Sequence, residues 1–198
     1  MKRYSHNNED EYLDGYFKDI NTGFFVDIGA NDGITGSNTR RLFDKGWTGV
    51  AVEASPKTFD VLVKNYANQD RVRLVHAAIT DTLGSVKFWE NPKAPLWGLN
   101  SAHKPWIDCF DVGTFEELTV PSMRLQDLGL PQEFEFLSVD TEGGDLLILG
   151  TLNEQVRPKL ICAEMDKFDY AAKIHETLKL KGYKHAATVE GNSFFERV

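Results

Sequence analysis

The sequence predicts an α/β fold, a three-layer sandwich around a mostly parallel sheet that closes with a C-terminal antiparallel hairpin. Two observations carry this expectation. Short apolar, β-branched runs alternate with helix-capping signatures, the pattern of repeated strand–helix units. The tail then divides into two strand-like halves, Lys184 to Val189 and Ser193 to Val198, about Glu190-Gly191-Asn192.

In chain order, residues 1–22 form an N-terminal helical or extended segment, within which Asn7 to Asp19 is acidic and polar with interleaved tyrosines and Phe17. Phe24-Phe25-Val26-Asp27-Ile28 is the first clear strand. It ends in a glycine-containing loop, after which Ser37-Asn38-Thr39 caps a helix that Gly46 closes. Val50-Ala51-Val52-Glu53 repeats the unit, with Ser55 as N-cap and Pro56 at the first helical position. Val72 to Ile79 reads as a third buried strand, and the Asp81–Gly84 turn leads into a strand from Ser85 to Trp89.

Across 90–118 the periodicity disappears while prolines, glycines, Trp97 and Trp106 accumulate, which marks an ordered insertion over the sheet that could act as a lid on an acceptor site. Phe134 to Asp140 is again a strand. Gly143 to Leu152 follows as a helix offering Leu146, Leu147 and Leu149 for packing, and Lys159 to Glu164 is another buried strand. Ala171 to Lys181 places Ile174 and Leu178 on one helical face, and Gly182 ends it. No repeat or low-complexity stretch interrupts residues 1–198, which read as one domain.

Composition narrows the function. The 198 residues are 41% hydrophobic and 26% charged, with net charge −8, as expected of a soluble globular domain. An acidic chain lacks the electrostatic footprint of a nucleic-acid binder. Without an apolar run long enough to span a bilayer, and with a charged start, it reads as cytoplasmic, with no membrane partner. Cys109 and Cys162 have no metal-type spacing and are read as reduced thiols.

The informative stretch is Val26-Asp27-Ile28-Gly29-Ala30-Asn31-Asp32-Gly33, because glycines between a strand and a helix let a ligand approach the backbone. Asn31 and Ile34 stand where a dinucleotide fingerprint needs glycines, which weakens a nicotinamide oxidoreductase reading, and no phosphate-loop Gly-Lys-Ser/Thr follows. Glu53 lies 24 residues after Gly29, where an acid can accept both hydroxyls of a ribose.

These residues resemble the FkbM-type branch of the class I S-adenosylmethionine-dependent methyltransferases. The resemblance rests on Phe24 to Gly33, Ser37-Asn38-Thr39, Gly46-Trp47-x-Gly49, Val52-Glu53-Ala54-Ser55-Pro56 and Ser138-Val139-Asp140-Thr141-Glu142-Gly143, with an opening Ser5-x-x-x-Glu9-Asp10. Three departures are His6 in place of glutamine, Ala54-Ser55 before Pro56, and Asp145 where glutamate is usual. The resemblance implies a Rossmann-like class I methyltransferase fold with a seven-stranded sheet. It also implies that Asp27, Gly29, Ala30, Asn31 and Gly33, with Asn38, wrap the methionine half of S-adenosylmethionine. Glu53 would hold the ribose, Ala54 and Ser55 would flank the adenosine, Ala78, Ile79 and His76 would lie near the adenine, and Asp140 would border the cofactor. For His76 a satisfied strand position is the favoured reading over a ligand contact.

Methyl transfer needs an aligned nucleophile and, for a hydroxyl, a proton acceptor. Asp140-Thr141-Glu142 and Glu164-Met165-Asp166 each follow a strand, so their carboxylates are expected to converge. Asp140 or Glu142 then serves as base or orienting group; alternatively Asp140, Glu142 and Glu164 or Asp166 hold a divalent metal such as Mg²⁺, or the segment caps the next helix. In the insertion, Asn100, Ser101 and His103 lie between Trp97 and Trp106, and His103 is a further candidate base. Lys104 and Arg124 could meet an anionic acceptor, although isolated basic residues are usually just solvated. The expected activity is O-methylation of a hydroxyl on a small molecule or carbohydrate, without nucleic-acid partners; the alternative is a catalytically inactive cofactor-binding or scaffolding module. Intact Asp27, Gly29, Gly33, Glu53, Asp140 and Glu142 argue for the enzyme.

Overall fold

The computed structural model describes residues 2–93, 99–109, 114–165 and 170–198. Trp97 and Asp166, both named above, lie outside the described residues. Seven strands form the main sheet: β1 (Phe24–Ile28), β2 (Thr48–Glu53), β3 (Val72–His76), β7 (Glu133–Val139), β8 (Arg157–Glu164), β9 (Tyr183–Val189) and β10 (Asn192–Arg197). Their spatial order is β3-β2-β1-β7-β8-β10-β9. The first five in that order are parallel, and the terminal hairpin inserts β10 antiparallel between β8 and β9.

Strand β1 is central, so it must bury both faces. Val26 and Ile28 join Val50, Val52, Leu137 and Val139 on one face. There they pack under Ile148 and Leu149 of α5 (Asp145–Gly150) and Ile174 and Leu178 of α6 (Tyr170–Leu180). Phe25, Ala51 and Phe136 face the other way. They meet Leu13 of α1 (Glu9–Tyr16), Leu42 and Phe43 of α2 (Arg40–Asp44) and Leu62 of α3 (Pro56–Asn65). Two helical layers on one sheet give the expected sandwich. Ser55 caps α3 as its position before Pro56 foretells, its Oγ accepting from the Thr58 N–H at 3.1 Å.

The middle of the chain departs from expectation. The stretch from Val72 to Ile79 is two strands in two sheets: β3 pairs with β2, whereas β4 (Ala78–Ile79) pairs with β6 (Glu116–Met123). The break falls at Ala77, whose N–H donates to the Glu53 carbonyl at 3.1 Å as the chain leaves the main sheet. Strand β5 (Gly84–Glu90) runs antiparallel to β6, giving a second sheet of order β4-β6-β5. The expected insertion therefore ends in a strand. Its remaining described part includes the short helix α4 (Lys104–Ile107), which buries Trp106 and Ile107. On α5 the packing residues also shift: Ile148 and Leu149 are buried, while Leu147 is exposed. Both cysteines are free, Cys162 buried and Cys109 exposed. Among the described residues, no helix is long and apolar enough to cross a membrane.

From β1 the chain steps outward to β2 and β3 and later returns to β7 on β1's other side. The strand order thus reverses between β1 and β7, where open α/β sheets bind ligands beyond the carboxyl ends of their strands.

Candidate active site

A cleft of about 470 Å³ opens at that reversal, within the size range of small-molecule sites. Its floor is the loop after β1. Gly29 has φ +83°, and a Cβ there would overlap the Asp140 carbonyl oxygen, so only glycine allows the β1 and β7 loops to touch. The Asp140 N–H donates to the Ile28 carbonyl at 3.0 Å, which locks the two loops together.

At one end of the cleft stands Glu53, with Oε2 accepting from the Asn31 N–H at 3.0 Å and Oε1 from the Ser55 N–H at 2.7 Å. Two backbone donors fix the carboxylate and leave acceptor capacity for a diol. Burial pushes its carboxyl up to about 7, against those hydrogen bonds. Asp27 is likewise buried and raised to about 6 by burial, although the Thr39 hydroxyl donates to it at 2.6 Å. Asn31 adopts φ +50°, and its side-chain Oδ1 is shielded from solvent without a hydrogen-bond partner among the described residues. An orphaned acceptor beside a fixed carboxylate fits a polar ligand entering here. Ala54, Ala78 and Ile79 add an apolar wall to which Val86 and Phe88 of the second sheet contribute.

The other end carries the acids. Asp140, Glu142 and Glu164 each offer a carboxylate oxygen, and these atoms lie within 4.8 Å of one another. That is the set named above for a divalent metal, and acids gathered at this spacing also occur without one. Glu142 sits at φ +56° and Gly143 at φ +100° in a tight turn. Asp145 holds this turn: its Oδ1 accepts from the Thr141 N–H at 2.8 Å and from the Thr141 hydroxyl at 2.5 Å. Burial pushes its carboxyl up to about 7. The insertion closes over the turn through Ser101, whose hydroxyl donates to the Glu142 carbonyl at 2.7 Å and accepts from the His103 N–H at 2.8 Å. His103 and Trp106 pack where a Gly143 Cβ would point, about 3.1 and 3.0 Å away, and His103 Nε2 is buried with no hydrogen-bond partner among the described residues.

Most of the residues expected in the site line this cleft: Asp27, Gly29, Ala30, Asn31, Asn38, Glu53, Ala54, Ala78, Ile79, Asp140, Glu142 and Glu164, with His103 and Asn100. Three do not. Gly33 faces α3, where a Cβ would strike Tyr66 and Leu62, so packing demands the glycine. Ser55 is fully buried; its hydroxyl caps α3 and bonds Glu90, while only its N–H serves the site, through Glu53. His76 stacks on Phe59 and bonds the Ala54 carbonyl, the satisfied strand position. Lys104 is paired with Asp108, and Arg124 grips Asp127 at 2.7 and 3.0 Å, so neither meets the cleft. Lining residues that the motifs did not single out include Thr35, Gly36 and the Thr80–Thr82 turn, and His6, noted above only as a departure from the family's opening motif, lines the cleft as well, all brought in by tertiary folding.

Residues 27–185 match the family model described as the methyltransferase FkbM domain, and the chain belongs to that family of S-adenosylmethionine-dependent methyltransferases. No curated protein matches the chain. Among solved structures it is similar to a TehB-like SAM-dependent methyltransferase from Corynebacterium glutamicum, with TM-score 0.54 and 10% identity over 98% of this chain and 89% of that one. It is also similar to the precorrin-6y C5,15-methyltransferase from Geobacter metallireducens, with TM-score 0.53 and 14% identity over 98% and 90% of the two chains. A third likeness is to Aeropyrum pernix fibrillarin, a structure with natively bound S-adenosyl-L-methionine, with TM-score 0.52 and 8% identity over 89% and 66%. At these identities the likenesses show the shared Rossmann-like fold.

Proposed function

We propose that the protein O-methylates a hydroxyl on an uncharged small molecule or sugar. The observation carrying this reading is the lining of the cleft: six carboxyl groups, from Asp27, Glu53, Asp81, Asp140, Glu142 and Glu164, and no lysine or arginine among the described residues. Such a surface repels phosphates and carboxylates, so polyanions, nucleic acids included, are poor acceptors. The segments outside the described residues carry three aspartates against one lysine and do not reverse that balance.

The residues at the β1 end suit S-adenosylmethionine: Glu53 for the ribose diol, Asn31 and the Gly29–Ala30 backbone for the chain beyond it, and Ala54, Ala78 and Ile79 for the adenine. The cofactor supplies an electrophilic methyl group on a cationic sulfonium. Asp140 and Glu142, at the opposite end, hold the acceptor hydroxyl and take its proton, and Glu164 and the buried Nε2 of His103 orient it. Packing of the Ser101–Trp106 segment on the Glu142 turn excludes water from that end. In this reading the acids act as proton acceptor and orienting groups without a metal, so EDTA leaves turnover unchanged.

The test is a methyl-transfer assay over neutral polyols and sugars beside their phosphorylated forms. Neutral acceptors turn over and phosphorylated ones do not; the reverse preference overturns the proposal. Asp140→Asn or Glu142→Gln lowers turnover by about 10²-fold or more while cofactor affinity, measured by calorimetry, stays within error. Full turnover in both variants under saturating acceptor removes these acids from the chemistry.

A further inference from the structure

The cleft has one wall that comes from neither sheet. The turn from Tyr4 to Asn7 lies over the loop after β1, and two buried carboxylates hold it. Asp10 Oδ2 accepts from the Tyr4 and Ser5 N–H groups at 2.6 and 3.1 Å. Glu9 Oε2 accepts from the Asn7 N–H at 2.8 Å, and its Oε1 accepts from the Asn192 amide at 2.9 Å, tying the turn to β10. Burying carboxylates is costly unless they are hydrogen-bonded, so these acids specify one geometry for the turn. The consequence of that geometry is the position of His6. Its imidazole lies against Gly36, at φ +69°, where a Cβ would collide with the ring, and it lines the cleft.

Charge gives the position a meaning. With no lysine or arginine lining the cleft among the described residues, His6 and His103 are the lining side chains that can carry a positive charge. His103 packs on Gly143 at the acid end. His6 stands on the loop side, against Gly36 in the loop that follows β1. A ligand with its ribose on Glu53 and its base along Ala78 and Ile79 directs its amino-acid end along this loop.

We infer that His6 binds the α-carboxylate of S-adenosylmethionine, as a cofactor-binding residue supplied by the N-terminal turn. This rests on the cofactor assignment made above. An imidazole keeps an N–H donor even when neutral, so it serves a carboxylate in either protonation state. On the loop side of an acid-lined cleft it is the lining side chain that can also take a positive charge opposite the one negative charge of the cofactor.

Calorimetric titration of wild type, His6→Ala and His6→Gln with S-adenosylmethionine and with its decarboxylated analogue tests this. His6→Ala weakens S-adenosylmethionine by about tenfold, as for a lost hydrogen bond to a charged group, and leaves affinity for the analogue unchanged. His6→Gln, which keeps an N–H donor, retains most of the wild-type affinity. Because the two ligands are compared within one variant, any loss of folded protein cancels in their ratio. Equal losses for both ligands, or no loss for S-adenosylmethionine, overturn the role of His6 alone. Failure of the wild type to bind S-adenosylmethionine overturns the cofactor assignment and His6's role with it.

Discussion

The two ends of the cleft are built by different means. At the β1 end, a strand, its loop and the end of the next strand supply the ribose carboxylate and its anchors: Glu53 is fixed by the Asn31 and Ser55 N–H groups, all within residues 29–55. At the acid end, the turn after β7 meets the end of β8, the insertion around Ser101 and His103, and exposed Leu147. The carboxylate of the first end lies close in sequence to the backbone donors that hold it, so its geometry is largely preset. The second exists only once three distant segments have folded together. Preset geometry suits a cofactor common to a family, and assembled geometry suits an acceptor that varies among its members.

The most damaging way to break this division is at the point where the ends touch. In Gly29→Ala the new methyl overlaps the Asp140 carbonyl at a positive φ, disrupting both loops at once. We expect a loss of more than about 3 kcal/mol, a melting temperature lower by roughly 10 °C, and weakened cofactor binding. A melt indistinguishable from wild type would mean that the loops are not locked.

A smaller effect sharpens the comparison at the acid end. Because burial raises the Asp145 carboxyl from 3.8 to about 7, the folded state favours its protonated form. Its contribution to stability is therefore fully present below pH 3.8 and is lost as pH rises through about 7. Asp145→Asn keeps an oxygen acceptor for Thr141 and removes the buried charge. It should flatten this part of the stability–pH profile and stabilise the protein at pH 8 by about 1–2 kcal/mol. Denaturant melts at pH 5 and pH 8 read this; an unchanged pH difference would show that Asp145 is not the group being charged.

The same contrast explains what was legible in the sequence. From Phe24 to Pro56 the strands, the α3 cap and the acid facing the cleft all follow from local chemistry, because each acts within a few residues or at a fixed spacing. The break at Ala77 was not legible, since Val72 to Ile79 is uniformly strand-forming and only pairing with β6 draws Ala78 away. Strand β6 was hidden by Pro121, which argues against a strand, and by Ser122, a polar residue at a buried position that blurs the alternation of Leu118 and Val120. The alternation of Leu118 and Val120 with polar Glu117 and Thr119 was the signal that could have found it. His6 could not be placed in the cleft from spacing, because its position depends on Glu9 and Asp10 being buried against the rest of the fold. Gly33 and Ser55 carried a motif but serve packing and capping, a distinction set by Tyr66, Leu62 and Glu90.

The most direct test of the account is calorimetric titration of wild type and Glu53→Ala with S-adenosylmethionine. Wild type should bind in the micromolar range, and Glu53→Ala should bind more weakly by about 1.5–3 kcal/mol, the cost of losing hydrogen bonds to a charged acceptor. Equal affinity in the two proteins would contradict the placement of the ribose on Glu53, and no binding by the wild type would contradict the cofactor cleft itself.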